Sequence, residues 1–348
     1  MDSNIVRGTC ILMCPDQEIE MRQREGLIHV LEARRDGGGR GTRLTADRRK
    51  MVKMYTRSAA GKDLLQPDLL RPPPILRRTI NYLLSSVVAE SETPWTTVYH
   101  FVEDRLRAIN QDMVVQQIPP HMSTNILEPI VRFYAYASYR LCEEPIDNFD
   151  PHLNSTQLNN SLKHLLVCYD SDEKQDEISV TRDQMEALYG LLHLGNVEAL
   201  YRLLSIKSHS GSQSRTVLKM SLAHFCNDYV TVFRQLRHLS PLLCCVAALH
   251  VPQIRRKTLS VMNSAYSSKN LRYSLSKLTS LLLFANDEDA AEECKYYGLS
   301  VDEDGVHFLK GTFDNSTKER PPKKFKFLDE NLTNISLPDI LLCVDPDS

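Results

Sequence analysis

From Ile75 onward, apolar residues recur every three to four positions. Leu76, Ile80, Leu83, Leu84 and Val87 form one stripe, and Val98, Phe101, Val102, Leu106, Ile109 and Met113 form the next. That spacing predicts two amphipathic helices, the second ended by Ile118-Pro119-Pro120. Further helices are predicted over Thr124–Leu141, Thr156–Tyr169, Thr181–Leu194, Val197–Ile206, Thr216–Leu236 and Pro241–Leu249, with Gly195-Asn196 as a tight corner. These hairpins share no repeat signature, so they predict an irregular stack of helix pairs.

The two ends read differently. Pro15, followed by Asp16, Glu18 and Glu20, opens a helix expected to reach Arg35 and stop at Gly37-Gly38-Gly39. Thr45 is expected to cap a second helix through Tyr55, and Leu65 to Pro74 to form an extended connector. Near the C-terminus, helices over Pro252–Tyr266, Arg272–Phe284 and Asp287–Tyr297 precede two short strands. These are Leu299–Val301 and Val306–Leu309, around an Asp304-Gly305 turn. Three helices and then a hairpin is the order of a winged helix. The predicted fold class is all-α, a helical-hairpin stack ending in a winged helix with a small β-hairpin. Its segments are an extension over 1–12, a helical domain over 13–250, a winged helix over 251–313 and a basic, apolar tail over 314–348.

Composition narrows the function classes. The 348 residues include 42% hydrophobic residues and 13 glycines, enough for a core and too few turns for a β-rich protein. The net charge of −2 hides cationic blocks. Nine Arg/Lys face Asp36 and Asp47 between Arg34 and Arg57, and six cations face no acid between Pro252 and Leu278. A near-neutral total excludes indiscriminate coating of nucleic acid and leaves room for local contact with phosphate or an acidic partner. No apolar signal-peptide core opens the chain and no stretch reaches membrane-span length, so no membrane association is expected. The nine cysteines form no Cys-x-x-Cys, and no zinc site is expected. They are read as reduced, packed residues of an intracellular protein.

Catalytic chemistry finds no support in the pattern. Ser58-Ala59-Ala60-Gly61-Lys62-Asp63 is close to a phosphate loop, but Thr56 stands where its first glycine belongs and Asp63 replaces the magnesium-binding hydroxyl. The 11 histidines are scattered, and His193, His224 and His250 lie within apolar helices. No Gly-x-Ser-x-Gly elbow occurs. Cys14 precedes a helix without a recognisable base. Asp104 and Arg105 are adjacent on a helix and are expected to make separate ion pairs. No active site, cofactor, metal or small-molecule substrate is predicted.

One ordered set remains. Met13-Cys14-Pro15 is followed by Glu18 and Arg22, then by Lys53, Tyr55, Arg57 and Gly61, then by Arg71-Pro72. Asp104-Arg105, Gln111-Asp112 and Gln116 close it. This set resembles the GANP/Sac homology family, over about Gly8 to Phe313. At Asn110 an amide stands where the family usually has arginine. The resemblance implies a stack related to PCI and tetratricopeptide-like modules, with a terminal winged helix. It also implies a non-enzymatic scaffold for protein partners. In large members these are a PCI-type winged-helix subunit and a small acidic subunit, in nuclear messenger-RNA export complexes of the TREX type. Short members are associated with centrosome duplication and mitotic spindle assembly. The stretch given carries no long Phe-Gly-rich region, acetyltransferase-like extension or centrin-binding helix, so it resembles the short type, expected at the centrosome and spindle, with the nucleus as the alternative.

Two site expectations follow. Lys53, Tyr55, Arg57, Arg71, Asp104 and Arg105 are expected to form an internal polar network. RNA or an acidic partner is expected at Arg255, Arg256, Lys257, Lys269 and Arg272, with charge reversal at 255–257 leaving the fold intact. The third winged helix carries Asp287, Glu288, Asp289, Glu292 and Glu293, which excludes major-groove reading.

Overall fold

The computed structural model describes residues 6–34, 44–57, 66–171, 179–206 and 211–343. The described chain is helical apart from a two-stranded sheet and two isolated bridges. It divides into two compact units. One comprises Met1–Phe133, Asn160–Lys174 and Leu337–Ser348; the other comprises Tyr134–Asn159 and Gln175–Ser336.

In the first unit, helix α1 (Asp16–Glu25) is followed by α2 (Pro73–Tyr82), which runs into a π-helical turn over Leu83–Val87. Helix α3 (Trp95–Val115) packs on both. The stripes read from the sequence are its core: Leu76, Leu83, Leu84, Val98, Val102 and Ile109 have no exposed surface. Of the next two helices, α4 (Pro120–Arg140) and α5 (Pro151–Asp170), this unit holds α4 up to Phe133 and α5 from Asn160. The last described helix, α15 (Leu337–Leu342), packs on the π turn and buries Leu341.

Two N-terminal expectations are corrected. Helix α1 ends at Gly26, in the left-handed region at φ 73°, well before Arg35. Glycine takes that conformation without a Cβ penalty, so the chain turns there. Gly37 to Gly39 lie outside the described residues. The helix expected from Thr45 to Tyr55 is absent: a turn spans 48–50, and 51–57 is extended. The backbone donors of Val52, Met54 and Tyr55 go to side-chain carboxylates (3.0, 2.8 and 3.2 Å) instead of to carbonyls four residues earlier.

In the second unit, α6 (Val180–Leu192), α7 (Val197–Ser205) and α8 (Ser212–Phe225) pack on one another, α9 (Tyr229–Leu236) packs on α8, and α10 (Pro241–Ala247) packs on α6. Gly190 lets α6 approach closely, because a Cβ there would lie 2.6 Å from Leu203 Cδ1 and 3.0 Å from Val217 Cγ1. The single helix expected over Thr216–Leu236 is broken. Asn227 adopts φ 57°, and the Asp228 carboxylate accepts the Thr231 N–H at 3.0 Å as a new N-cap.

The winged-helix order is present. Helices α11 (Val251–Ala265), α12 (Leu275–Leu282) and α13 (Asp287–Tyr296) lead to β1 (Ser300–Asp302), paired antiparallel with β2 (Gly305–His307). Tyr273 bridges to Val306 on the other side of β2. Beyond Phe313 the chain folds back. Helix α14 (Lys326–Thr333) buries Leu328, and Tyr139 Oη accepts the Phe325 N–H and donates to Asp329, both at 2.9 Å.

Candidate functional site

Helix α1 starts on Pro15 and places Glu18 and Arg22 one turn apart on its inner side. Arg22 is fully buried and donates Nη1 to the Val52 carbonyl at 3.1 Å, Nε to Leu27 O at 3.4 Å, and Nη2 to Glu32. Burial opposes its charge, yet the field of Glu32 and the hydrogen bond to it outweigh that and raise its pKa. Glu32, also fully buried, accepts Arg105 Nη2 at 3.2 Å and the Val52 N–H. Arg105 lies 4.4 Å over the Phe101 ring and reaches back to Asp104 Oδ2 at 2.5 Å. The expectation of separate pairs for Asp104 and Arg105 is therefore corrected. The arginine stem is long enough to span neighbouring positions on α3.

A second lattice centres on Asp112, with no exposed surface. Its carboxylate accepts Lys53 Nζ at 2.6 Å and Arg71 Nε at 2.7 Å. Lys53 also donates to Leu69 O at 2.7 Å, and Arg71 to Met13 O at 3.3 Å. Gln116 joins three segments: its amide nitrogen donates to Arg71 O and Asp112 O, and its oxygen accepts the Gly8 N–H at 2.8 Å. Gln111 donates to Thr56 O, and Arg107 lies 4.0 Å over the Tyr55 ring. Lys53, Tyr55, Arg71, Asp104 and Arg105 thus belong to one set of buried or half-buried contacts. Arg57 is exposed, and Gly61 lies outside the described residues. Pro72 caps α2, and Cys14 is a buried residue whose thiol burial pushes up, the opposite of an activated nucleophile.

Charge counting decides what this lattice can do. Four cations (Arg22, Lys53, Arg71, Arg105) meet four carboxylates (Glu18, Glu32, Asp104, Asp112) within ion-pair distance. Among the described residues of the lattice no charge is left over to attract a substrate ion, and Arg22, Glu32, Arg71 and Asp112 have no exposed surface. Among the described residues, Arg71 Nη2, Arg105 Nε and Asn110 Oδ1 find no acceptor or donor. No group of three metal-ligating side chains is arranged to hold an ion among the described residues, and no described helix is long and apolar enough to cross a membrane. His193 is bonded to Asn159 at 3.0 Å, and burial lowers the pKa of His250.

The three arginines of the winged-helix segment are engaged by groups of the chain itself. Arg255 donates to Leu282 O and Leu283 O (3.0 and 2.5 Å), and Arg256 to Thr317 O and Asn315 O (3.1 and 2.7 Å). Arg272 pairs with Asp302 at 2.7 Å. Lys257 is half-buried, and Lys269 is exposed. The expectation that reversal at 255–257 spares the fold is corrected. Arg255→Glu with Arg256→Glu removes charge-assisted bonds that hold α11 to neighbouring segments. Thermal melting is expected to show a loss of more than about 2 kcal/mol. An unchanged midpoint would mean these bonds carry no weight.

Sequence reasoning missed Glu32 and Arg320. Glu32 is the acceptor for two buried arginines, and its signal was a lone carboxylate among Ile28, Val30, Leu31 and Ala33. Arg320 explains the two glutamates of α13 that exceed what its dipole requires, since it binds Glu292 at 2.9 Å and Glu293 at 3.2 Å.

The fold and its self-neutralising lattice define a helical module with a winged-helix end and a structural polar core. A family model described as the SAC3/GANP family matches residues 13–303, and the chain belongs to that family. It is 25% identical over 362 residues to SAC3 family protein 1 of Schizosaccharomyces pombe, covering 96% of this chain and 34% of that protein. It is 28% identical over 313 residues to SAC3 family protein B of Arabidopsis thaliana, covering 86% and 18%. It is 24% identical over 340 residues to Protein xmas of Drosophila melanogaster, covering 94% and 16%. The chain thus spans about a third or less of each of these relatives.

Proposed function

We propose that this protein is a non-enzymatic scaffold that binds other proteins through its helical stack and winged helix, in centrosome duplication and mitotic spindle assembly. The observation that carries the protein-binding part is the engagement of Arg255, Arg256 and Arg272 with the chain's own carbonyls and Asp302. Cations held this way are poor candidates for neutralising a phosphate backbone. The neutral lattice of the first unit also supports a structural reading over a catalytic one. The centrosomal setting rests on the family resemblance of the motif residues.

A second reading is a nuclear subunit of messenger-RNA export. Lys269 and Lys277 favour it, because both are exposed in a stretch without an acid. The two readings separate in one experiment. The protein is captured from dividing cells, its partners are identified by mass spectrometry, and RNA retention is measured at low and moderate salt. Centrosomal and spindle proteins without salt-sensitive RNA are the expected result. RNA retention that falls with a log–log salt slope of about −0.7 per neutralised phosphate, and that Lys269→Glu with Lys277→Glu abolishes, would replace it with the export reading.

A further inference from the structure

Past the end of α11 the chain returns along β2. Tyr273 and Val306 exchange both backbone hydrogen bonds, at 2.9 and 2.8 Å, so residue 273 extends the hairpin by a third, one-residue strand. Alternation then turns the N–H and carbonyl of Arg272 away from β2. Among the described residues neither group has a partner, and the guanidinium of Arg272 is held by Asp302. The sheet therefore ends here in an unpaired edge.

A groove of about 300 Å³ adjoins that edge, walled by Tyr266, Leu271, Tyr273 and Phe308. The Tyr266 and Tyr273 rings lie 5.3 Å apart at 60°, and Phe308 lies 6.0 Å from Tyr273 at 61°. Phe308 is buried at the floor, whereas Tyr266 is 56% and Leu271 71% exposed. Apolar side chains that are contiguous and open in this way mark a binding surface more than scattered ones do.

The segments that form the groove, 264–275 and 305–312, carry Lys269, Arg272 and Lys310 and no acid. The Lys310 N–H donates to Ser267 Oγ at 2.9 Å, which brings that lysine to the groove. Lys269 and Lys310 are exposed, and neither has a carboxylate within 4.0 Å among the described residues. Glu303 and Asp304 sit in the β1–β2 turn, beyond Tyr273.

Building on the protein-binding reading, we propose that this groove docks an extended segment of a protein partner. Its backbone pairs with Arg272, and one aromatic or long aliphatic side chain, flanked by Asp or Glu, enters between Tyr266, Leu271 and Phe308. An unpaired edge beside an apolar slot is how a sheet takes an added strand, with pairing from the backbone and selectivity from alternate side chains. The cationic rim complements acids on either side of the anchor. A single-stranded nucleic acid fits less well. Its phosphates accept hydrogen bonds and leave the Arg272 carbonyl unsatisfied, and two tyrosine rings at 60° give no flat stack for successive bases.

The full-length chain is used to select from random linear peptides displayed on phage, and a synthetic peptide of the enriched sequence is titrated by fluorescence anisotropy. The expected sequence has one aromatic or long aliphatic residue among acids. Leu271→Glu should weaken its binding by about tenfold or more, since it puts a charge into the apolar wall. Lys269→Glu with Lys310→Glu should weaken it by about fivefold, and Lys163→Glu with Lys219→Glu, on α5 and α8, should leave it unchanged. All of these side chains are exposed, so the variants keep the fold. Methylating the peptide's backbone amides one at a time should abolish binding at the residue that pairs with Arg272. No enriched peptide, enrichment without acids, binding insensitive to Leu271→Glu, or insensitivity to every amide methylation would overturn the proposal. Displacement of the peptide by single-stranded RNA, with RNA binding lost in the same variants, would give the groove to a nucleic acid instead. If the wild-type chain and Leu271→Glu capture the same centrosomal and spindle proteins from dividing cells, the groove fails and the scaffold reading stands; if the wild-type chain captures no protein, both fail.

Discussion

Glu32→Ala is expected to cost about 3–5 kcal/mol of stability, because it strands two buried arginines at once. Arg22 has no exposed surface and Arg105 is 4% exposed, so neither reaches water when its carboxylate is removed. The same change removes the acceptor of the Val52 N–H, which pins the extended 51–57 segment. Chemical denaturation or soluble yield reads the loss directly. Arg105→Ala should be destabilising in the same way, though less, because Arg22 still neutralises Glu32. A Glu32→Ala protein of normal stability that fails to bind its partners would show the lattice to be an interface, against the burial argument.

Asp112→Ala is the second large effect, again expected at about 3–5 kcal/mol. Asp112 is the carboxylate within ion-pair distance of both Lys53 and Arg71, and Arg71 is fully buried. Asp112→Asn keeps the shape and one acceptor oxygen, so it should lose less. The Glu32 and Asp112 lattices share no ion pair, so milder changes in each, such as Arg105→Lys and Asp112→Asn, should add in a double-mutant cycle. Strong coupling between them would show that the extended segment transmits strain from one to the other. Arg48→Ala serves as the control, since its pairs with Asp16 and Glu20 are exposed and should contribute little.

Much of the fold is written in local periodicity. The stripes of α2 and α3 appear as buried rows because a 3.6-residue repeat of apolar side chains has one favourable solution, a helix with that face inward. The winged-helix order was legible for a similar reason. Asp304-Gly305 sits between apolar runs, and Gly305 has φ 133°, a conformation few other residues adopt. The motif residues were also legible as a set, although their spacing along the chain does not say which cation meets which carboxylate.

What the sequence by itself determined is the helical class, the family, the principal apolar stripes and the absence of any recognisable catalytic pattern. The 44–57 segment shows where that stops. Thr45 with Arg48, Arg49 and Lys50 has the local signature of a capped helix, yet the segment is turned and then extended. Its backbone donors find Glu32, Glu18 and Asp104, carboxylates 20, 36 and 49 residues away. Tertiary structure alone decided that, because the energy of a buried carboxylate bound to a backbone N–H depends on distant residues that no local window contains. The same holds for Arg255 and Arg256: a stretch of six cations reads as a surface for phosphate until the carbonyls of 282, 283, 315 and 317 take up their donors. Whether a charge faces solvent or the chain's own backbone is settled by packing between remote segments, and composition is silent on it.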